Sequence, residues 1–186
     1  MIKLNKIYTK TGDTGDTALG DGQRVLKDNL RVTAYGNVDE LNASIGVVTL
    51  YATPDLKRKL KNIQNDLFDL GADLCVPISK NNKGRLRVST SQIETLETEI
   101  DEMNKILKPL NSFILPGGCK SATFLHLART ICRRAERSVV SLRSKEEIND
   151  NTLIYLNRLS DWLFVASRVE NQENSTEVLW SPGKNK

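Results

Sequence analysis

The chain has 186 residues, of which 39% are hydrophobic and 27% charged, a composition that predicts one globular domain with a sizeable core. Only 5% of the residues are aromatic, so the chain is poorly supplied with the side chains on which nucleic-acid bases stack. The net charge of +4 is a mild excess, which suits a small polyanionic ligand or a solvated surface with slightly more lysine than glutamate.

The cysteines and the hydropathy indicate the compartment. Cys75, Cys119 and Cys132 are widely spaced and odd in number, which favours free thiols in a reducing cytoplasm over a disulfide framework. The N-terminal sequence has no apolar signal region, and no apolar run approaches the roughly 20 residues that span a bilayer. We therefore expect a soluble, cytoplasmic protein that binds neither membrane nor nucleic acid.

The N-terminal arm, residues 1–30, differs from the rest of the chain. Its residues 9–22, TKTGDTGDTALGDG, have no apolar periodicity, which predicts a loop. Glycines let backbone N–H groups approach an anion, and the hydroxyls and Lys10 can bond its oxygens, so the loop could hold a triphosphate. It lacks the GxxxxGK[ST] pattern of a Walker A loop, and a turn-rich arm without any ligand would also explain its composition.

After the arm, apolar residues recur at intervals of three and four, which predicts helices buried on one face. Pro54, Pro77 and Pro109 are expected to end the first three of them, and Ser89 with Gln92 has the spacing of a capping box at the start of the third. The predicted helices span residues 32–52, 55–75, 90–108, 119–144 and 150–171.

This pattern predicts an all-α fold, a five-helix up-and-down bundle over residues 32–171 within a single domain of residues 1–186. Residues 78–88 are predicted to be an exposed, basic loop, and residues 172–186 a tail. The expected core of the second helix is an almost unbroken heptad stripe. On the fourth helix we expect these residues to point inward: Phe124, Leu127, Ile131, Ala135 and Val139.

The fourth helix also carries a row of cations. His126, Arg129, Arg133 and Arg137 are three or four residues apart and share one face, flanked by Arg134 and Glu136. Guanidinium groups in register repel one another unless an anion lies between them, and arginine suits bidentate contact with phosphate. The alternative is a solvated basic face, although Glu136 is the only acid between positions 120 and 145. The row therefore indicates a ligand or an interface.

Other candidates are weaker. Asp39 could pair with a buried arginine or be an ordinary exposed acid near a helix start. Asn157 is polar among leucines and could lie on an exposed face, and Phe113 before a Pro-Gly-Gly turn could be core. One histidine and no Glu-x-x-His motif argue against a di-iron or zinc site, and His126 among apolar residues is more typical of a structural histidine.

Several blocks between Tyr8 and Arg168 occur in the order of one known family. They are YTKTGDTGDT, GQRVLK, RVTAYGNVDELNASIG, FILPGG, LHLARTICRRAERSVV and YLNRLSDWLFVASR. The chain thereby resembles the PduO-type ATP:cob(I)alamin adenosyltransferases. The resemblance implies a five-helix homotrimer that binds ATP between subunits, together with Mg²⁺ held mainly by the phosphates, and transfers the 5′-deoxyadenosyl group to the cobalt of cobalamin.

The resemblance also implies roles for single residues. One subunit would contribute an ATP-binding loop of Thr9, Lys10, Thr11, Gly12, Asp13, Gly15 and Thr17, with Lys27 further on. Its neighbour would contribute Arg133, Arg134, Glu136, Arg137 and Asn157. Asp39 would form an intersubunit ion pair with Arg129, and Phe113 would lie under the corrin ring as the cobalamin-binding residue. Many relatives carry a second hydroxyl at the end of the loop, where this chain has Ala18, so no direct contact is expected there.

The implied reaction is attack of Co(I) on C5′ of ATP, which needs no side-chain base. Reduction to Co(I) needs an electron donor, for which a reductase is a possible partner, and an adenosylcobalamin-dependent enzyme is a possible user of the product. Two alternatives are a non-catalytic ATP-sensing bundle and a structural oligomer whose arginines serve interfaces. The apolar segment from Phe113 to Pro116 favours the transferase, since a sensor of ATP has no need of it.

Overall fold

The structure is a computed structural model that describes residues 7–79, 84–174 and 177–185. Within these residues the chain forms five helices and one two-stranded hairpin, so the all-α five-helix prediction is confirmed. No helix in the described ranges is both long and apolar enough to cross a membrane. The elements are β1 (Asp16–Ala18), β2 (Arg24–Leu26), α1 (Leu30–Val48), α2 (Pro54–Cys75), α3 (Thr90–Asn104), α4 (Lys120–Arg143) and α5 (Asp150–Asn174).

Helix α4 packs against α1 and α5, while α2 packs on α1 and α3 on α5. The heptad stripe of α2 is buried as predicted, from Leu56 to Leu74. The predicted inner face of α4 is partly wrong, because Leu127 is 52% exposed and Phe124 and Ile131 are only half-buried. The buried face contains several small residues, which let α4 approach its neighbours closely. Its apolar members are Leu125, Ala128, Cys132, Ala135, Val139 and Leu142.

Helices α1 and α3 end four residues before the predicted positions, and α5 ends three residues after its predicted end. Helix α1 ends at Val48 in a turn of i to i+3 hydrogen bonds, and Pro54 starts α2 instead of ending α1. Proline is tolerated there because the first N–H groups of a helix have no internal partner. Helix α3 ends at Asn104, five residues before Pro109. The capping box of Ser89 and Gln92 is present at its start.

The predicted loop over residues 9–22 contains strand β1, which pairs with β2 in antiparallel register, Asp16 opposite Leu26. The prediction of irregular structure is therefore wrong at Asp16–Ala18. Leu19 is buried after β1, and the Gly20 N–H donates to Cys75 O at 3.0 Å. A Cβ on Gly20 would lie 2.6 Å from Val76 Cγ2, so only glycine permits this approach. The hairpin is thus fastened to the C-terminal end of α2.

Buried Asp73 anchors the segment that precedes α3. Its carboxylate accepts hydrogen bonds from the Arg87 guanidinium at 2.6 Å, the Val88 N–H at 2.8 Å and Asn149 Nδ2 at 2.7 Å. The prediction of an exposed loop over residues 78–88 is wrong at Val88, which is buried, and residues 80–83 lie outside the described part of the chain. This carboxylate joins α2, the start of α3 and the start of α5.

Candidate functional site

Residues 9–17 form a tight loop that folds back on itself. The Gly15 N–H donates to Gly12 O at 3.2 Å, and the Lys27 N–H donates to Gly15 O at 2.9 Å. Gly15 has φ +92° and Lys10 has φ +59°, so the loop uses the left-handed region twice. The two conformations turn the backbone sharply within a few residues, as anion-binding loops require. The predicted phosphate-binding residues are therefore close together in a defined shape.

Arg24 holds this loop together and was not among the predicted site residues. Its guanidinium forms an ion pair with Asp16, with Nε 2.8 Å from Oδ2, and its Nη2 donates to Thr11 O at 2.6 Å. The Thr14 hydroxyl donates to Asp16 Oδ1 at 2.6 Å. The hydrogen bond from Thr14, followed by that from Arg24, lowers the pKa of Asp16. Arg24 therefore balances a negative charge that would otherwise repel an anion in the loop.

Lys27 brings a second ammonium group to the loop. A Cβ placed on Gly12 would lie 3.3 Å from Lys27 Nζ and 3.1 Å from Asp16 O, so the lysine side chain lies directly against this glycine. A larger residue at position 12 would displace the amine. The structure thus brings Lys27 to the loop, as the resemblance implies.

The arginines of α4 form a separate cationic surface. Arg133 and Arg137 are exposed, and within the described ranges neither has a hydrogen bond or ion pair with another side chain. Arg129 is half-buried, and burial followed by the charge of Arg133 lowers the pKa of its guanidinium. We call these three residues, Arg129, Arg133 and Arg137, the arginine ridge. In the described part of the chain no carboxylate pairs with any of the three, so the repulsion between Arg129 and Arg133 is not balanced there.

The polar neighbours of the ridge are already paired. Arg134 forms an ion pair with Glu40 of α1. Glu136 accepts a hydrogen bond from Asn157 Nδ2 at 2.9 Å, so these two predicted site residues of α4 and α5 lie together. The helix-four candidates therefore fall into two groups: the arginine ridge, which has no ion-pair partner in the part of the chain that the structure describes, and Arg134 and Glu136, whose side chains are held by partners.

Among the described residues, no hydrogen bond or ion pair joins the loop to the side chains of the arginine ridge. The hairpin is fastened to α2, and neither of its strands packs extensively on α4. Asp39 is likewise separated from Arg129, since its exposed side chain lies beside Tyr35 and Phe68 in a groove of about 390 Å³ between α1 and α2. The expected contacts between these groups are not made inside the protomer.

An apolar cavity of about 530 Å³ lies at one end of the bundle, with Phe113, Phe164 and Trp180 in its wall. Phe113 is 77% exposed, so it is not a core residue, which was the alternative interpretation. Its ring lies 6.1 Å from that of Trp180 at an interplanar angle of 54°. The Trp180 N–H donates to Phe113 O at 2.7 Å, and the Leu115 N–H to Val178 O at 2.9 Å. The tail therefore pairs with the Phe113 segment through an isolated antiparallel bridge between Ile114 and Leu179.

Trp180 was missed because it falls in the predicted tail and no motif marks it. The adjacent turn is fixed by Asn171, whose side chain accepts from the Cys119 N–H at 3.0 Å and donates to Gly117 O at 3.0 Å. Gly118 has φ +110°, and a Cβ there would lie 2.0 Å from Asn171 Oδ1, so glycine is required. Asn171 therefore fixes the turn that leads from the Phe113 segment into α4.

The described residues contain no group of three or more histidine, cysteine or acidic side chains placed to hold a metal ion. All three cysteines are free thiols, as predicted. His126 is buried, and burial followed by the charge of Arg129 lowers its pKa.

The chain is similar to proteins of one enzyme family over nearly its whole length. A protein-family model described as cobalamin adenosyltransferase matches residues 7–170. A corrinoid adenosyltransferase of Mycobacterium leprae is 46% identical over 190 residues, covering 98% of each chain. One from Bacillus subtilis is 48% identical over 171 residues, covering 89% of this chain and 86% of the relative.

Solved structures give the same result. A phenylalanine-to-alanine variant of a PduO-type ATP:corrinoid adenosyltransferase from Lactobacillus reuteri, complexed with cobalamin and ATP, superimposes with a TM-score of 0.90 at 40% identity. The alignment covers 94% of this chain and 99% of that one. An arginine-to-lysine variant of the same kind of enzyme, complexed with ATP, has a TM-score of 0.89 at 40% identity.

Proposed function

The chain belongs to the cobalamin adenosyltransferase family and transfers the 5′-deoxyadenosyl group of ATP to the cobalt of a corrinoid, and we propose how its own residues do so. The electron pair of Co(I) forms the cobalt–C5′ bond while the C5′–O5′ bond breaks, and triphosphate leaves with that bond's electron pair. The products are adenosylcobalamin and triphosphate.

The observation that carries the proposal is the arginine ridge, three guanidinium groups of α4 without carboxylate partners among the described residues. Triphosphate gains negative charge as it leaves, and fixed cations stabilise that charge in the transition state. Arg133 and Arg137 would contact the triphosphate from one protomer, while Lys10 and Lys27 would contact it from the loop of the next. Glu136 and Asn157, bonded to each other, would fix the nucleoside end.

No residue has to act as a general base, because Co(I) is itself a strong nucleophile. The protein contributes alignment of C5′ with cobalt and exclusion of water. The remaining loop residues, Thr9, Thr11, Gly12, Asp13, Gly15 and Thr17, would hold the phosphates through N–H and hydroxyl groups, and Arg134 would support the ridge through Glu40. Mg²⁺ would enter with ATP and be held mainly by its phosphates.

The apolar cavity would receive the lower face of the corrin ring. Phe113 projects into solvent at its edge, where its ring could occupy the position of the lower axial ligand and exclude water. Loss of that ligand makes Co(II) easier to reduce to Co(I). Phe164 and Trp180 would complete the apolar surface. An electron-donating reductase would supply Co(I), and an adenosylcobalamin-dependent enzyme would use the product; free thiols favour the cytoplasm.

The site would be assembled in a homotrimer, with loop and ridge contributed by different protomers. Asp39 and Arg129 support this arrangement, because neither forms an ion pair among the described residues of its own protomer. In a trimer the two would pair across the interface. Sedimentation is expected to show a trimer that Asp39→Arg weakens and Asp101→Arg, an exposed site on α3, does not. A monomeric wild-type protein would contradict the arrangement.

The test is an anaerobic assay of adenosylcobalamin formation from ATP and chemically reduced cobalamin. Arg133→Ala is expected to lower kcat/KM by about 10²- to 10³-fold, since one such contact is commonly worth about 2.7–4 kcal/mol in the transition state. Arg143→Ala is the matched control, because Arg143 lies on the same helix and pairs only with Asp150 at 3.0 Å. ATP binding in calorimetry without product formation would instead indicate an ATP-sensing bundle.

A further inference from the structure

His126 is the only histidine of the chain, and it lies buried on α4 one turn before Arg129. Both side chains pack on Phe164 of α5. The imidazole meets the phenyl ring edge-on with centroids 6.2 Å apart, and the Arg129 guanidinium carbon lies 6.0 Å from the same ring centroid. His126 thus contacts a ring of the apolar cavity and neighbours a member of the arginine ridge.

The hydrogen bonds of Ser167 determine which imidazole nitrogen carries the proton. The Ser167 hydroxyl donates its one hydrogen to Phe164 O at 2.6 Å. Its oxygen, 3.3 Å from His126 Nε2, can therefore only accept from the ring. Nε2 carries the hydrogen, and Nδ1 is left with a bare lone pair.

Two complementary polar atoms are then without partners. His126 Nδ1, an acceptor, and Arg129 Nε, a donor, are both buried and have no hydrogen bond to any described residue. A buried polar group without a partner costs free energy, and such groups are rare. The two atoms lie on side chains one turn apart that pack on the same ring, and the charge of Arg129 acts on His126.

We propose that His126 is a positioning residue for Arg129, with Nδ1 accepting the Arg129 Nε–H directly or through one water. This hydrogen bond holds the guanidinium plane against Phe164 and leaves both terminal nitrogens available for the site. The inference rests on the proposed function in one respect, namely that Arg129 and the Asp39 it would pair with form part of the site between protomers.

The arrangement requires a neutral imidazole. The charged groups that act on His126 are Arg129 of the same helix and Glu177 of the C-terminal segment, whose carboxylate pairs with Arg168 of α5 at 3.1 Å. Ser167 and Phe164, the α5 residues in contact with the ring, are uncharged. Burial and Arg129 lower the pKa of His126, against a smaller opposite effect of Glu177. Protonation would turn Nδ1 into a donor that faces another donor.

Nuclear magnetic resonance of the apo protein tests this geometry without any assay, because the single histidine gives one pair of imidazole nitrogens. We expect ¹⁵N shifts of the Nε2–H tautomer and a pKa below 6.5, which Arg129→Met raises and Arg143→Met leaves unchanged. An Nδ1–H tautomer, or a pKa indifferent to Arg129→Met, would overturn the proposal.

Substitutions separate positioning from packing. His126→Asn places an amide oxygen near the position of Nδ1, whereas His126→Gln reaches only toward Nε2 and His126→Leu removes both. In folded variants we expect Asn to keep most of kcat/KM and Gln and Leu to lose about 10-fold or more, the usual effect of a hydrogen bond to a charged group. The kcat/KM of the wild-type protein should fall at acid pH, and the kcat/KM of His126→Asn should not.

Equal losses in all three variants, or activity in His126→Leu that matches His126→Asn, would contradict a positioning role. If the wild-type protein forms no adenosylcobalamin, the proposed function fails. The tautomer and the response of the His126 pKa to Arg129→Met would still decide whether the two side chains are coupled.

Discussion

Replacing Trp180 by alanine tests whether the C-terminal segment takes part in corrinoid binding. Trp180 is 45% exposed, so truncation removes roughly 120 Å² of buried contact, worth at most about 3 kcal/mol. The aromatic pair with Phe113 contributes about 0.5–1.5 kcal/mol of specific interaction. The backbone hydrogen bond between Trp180 N–H and Phe113 O needs no side chain and remains possible.

This free energy acts on a terminal segment that can detach while the bundle stays folded. We therefore expect a small change in Tm but a disordered cavity wall, with the corrinoid KM raised about 10-fold, corresponding to about 1.4 kcal/mol. The KM for ATP should stay within about twofold, since the cationic groups are elsewhere. Steady-state kinetics and the electron paramagnetic resonance signal of four-coordinate Co(II) measure the effect.

Trp180→Phe is the matched control for Trp180→Ala, because it keeps a ring against Phe113 and should keep most of the corrinoid affinity. Val178→Ala is a control for the backbone pairing of the tail, since Val178 is exposed and accepts a hydrogen bond only through its backbone carbonyl. An unchanged corrinoid KM in Trp180→Ala, or a raised KM for ATP alone, would refute the reasoning.

Three further predictions concern the elements that position the site. Arg24→Ala should raise the KM for ATP about 10-fold, because it leaves the Asp16 carboxylate unpaired in the loop. The double variant Arg24→Ala/Asp16→Asn should have a lower KM than Arg24→Ala, since the unpaired carboxylate is then replaced by a neutral amide. An equal KM in the two variants would argue against charge balance. Asp73→Ala should lower the free energy of unfolding in urea by about 3–5 kcal/mol, since it removes the carboxylate partner of the Arg87 guanidinium in a largely buried network. A decrease of less than about 1 kcal/mol would contradict this. Gly118→Ala should raise the corrinoid KM, because its Cβ would displace Asn171, and wild-type kinetics would show that the turn adapts.

The sequence predicts the helices well where one apolar stripe dominates. Helix α2 carries a single heptad stripe, and all its members are buried. Helix α4 carries two, one through Leu127 and another through Ala128 and Cys132. Periodicity cannot rank them, because the choice depends on which stripe lets neighbouring helices approach most closely, and that is a property of the packed fold.

The site residues that the sequence did not predict are those fixed by distant contacts. Arg24 acts through Asp16 across a three-residue strand pair, and strands that short give no periodic signal. Trp180 contacts Phe113 because the tail after α5 lies beside the segment that precedes α4. The glycine loop and the arginines, by contrast, are contiguous or lie at helical spacing, so their chemistry is visible before the fold is known.

The division of the cationic groups between two surfaces has an energetic consequence. Arg129 and Arg133 repel each other, which is part of the reason the pKa of Arg129 is lowered, and no carboxylate of the described protomer relieves this. On the proposed arrangement, Asp39 of a neighbour and the triphosphate of ATP would each supply the missing negative charge. The repulsion between these arginines destabilises the isolated protomer. It would then favour both assembly and nucleotide binding, because each event brings a negative charge that reduces this repulsion.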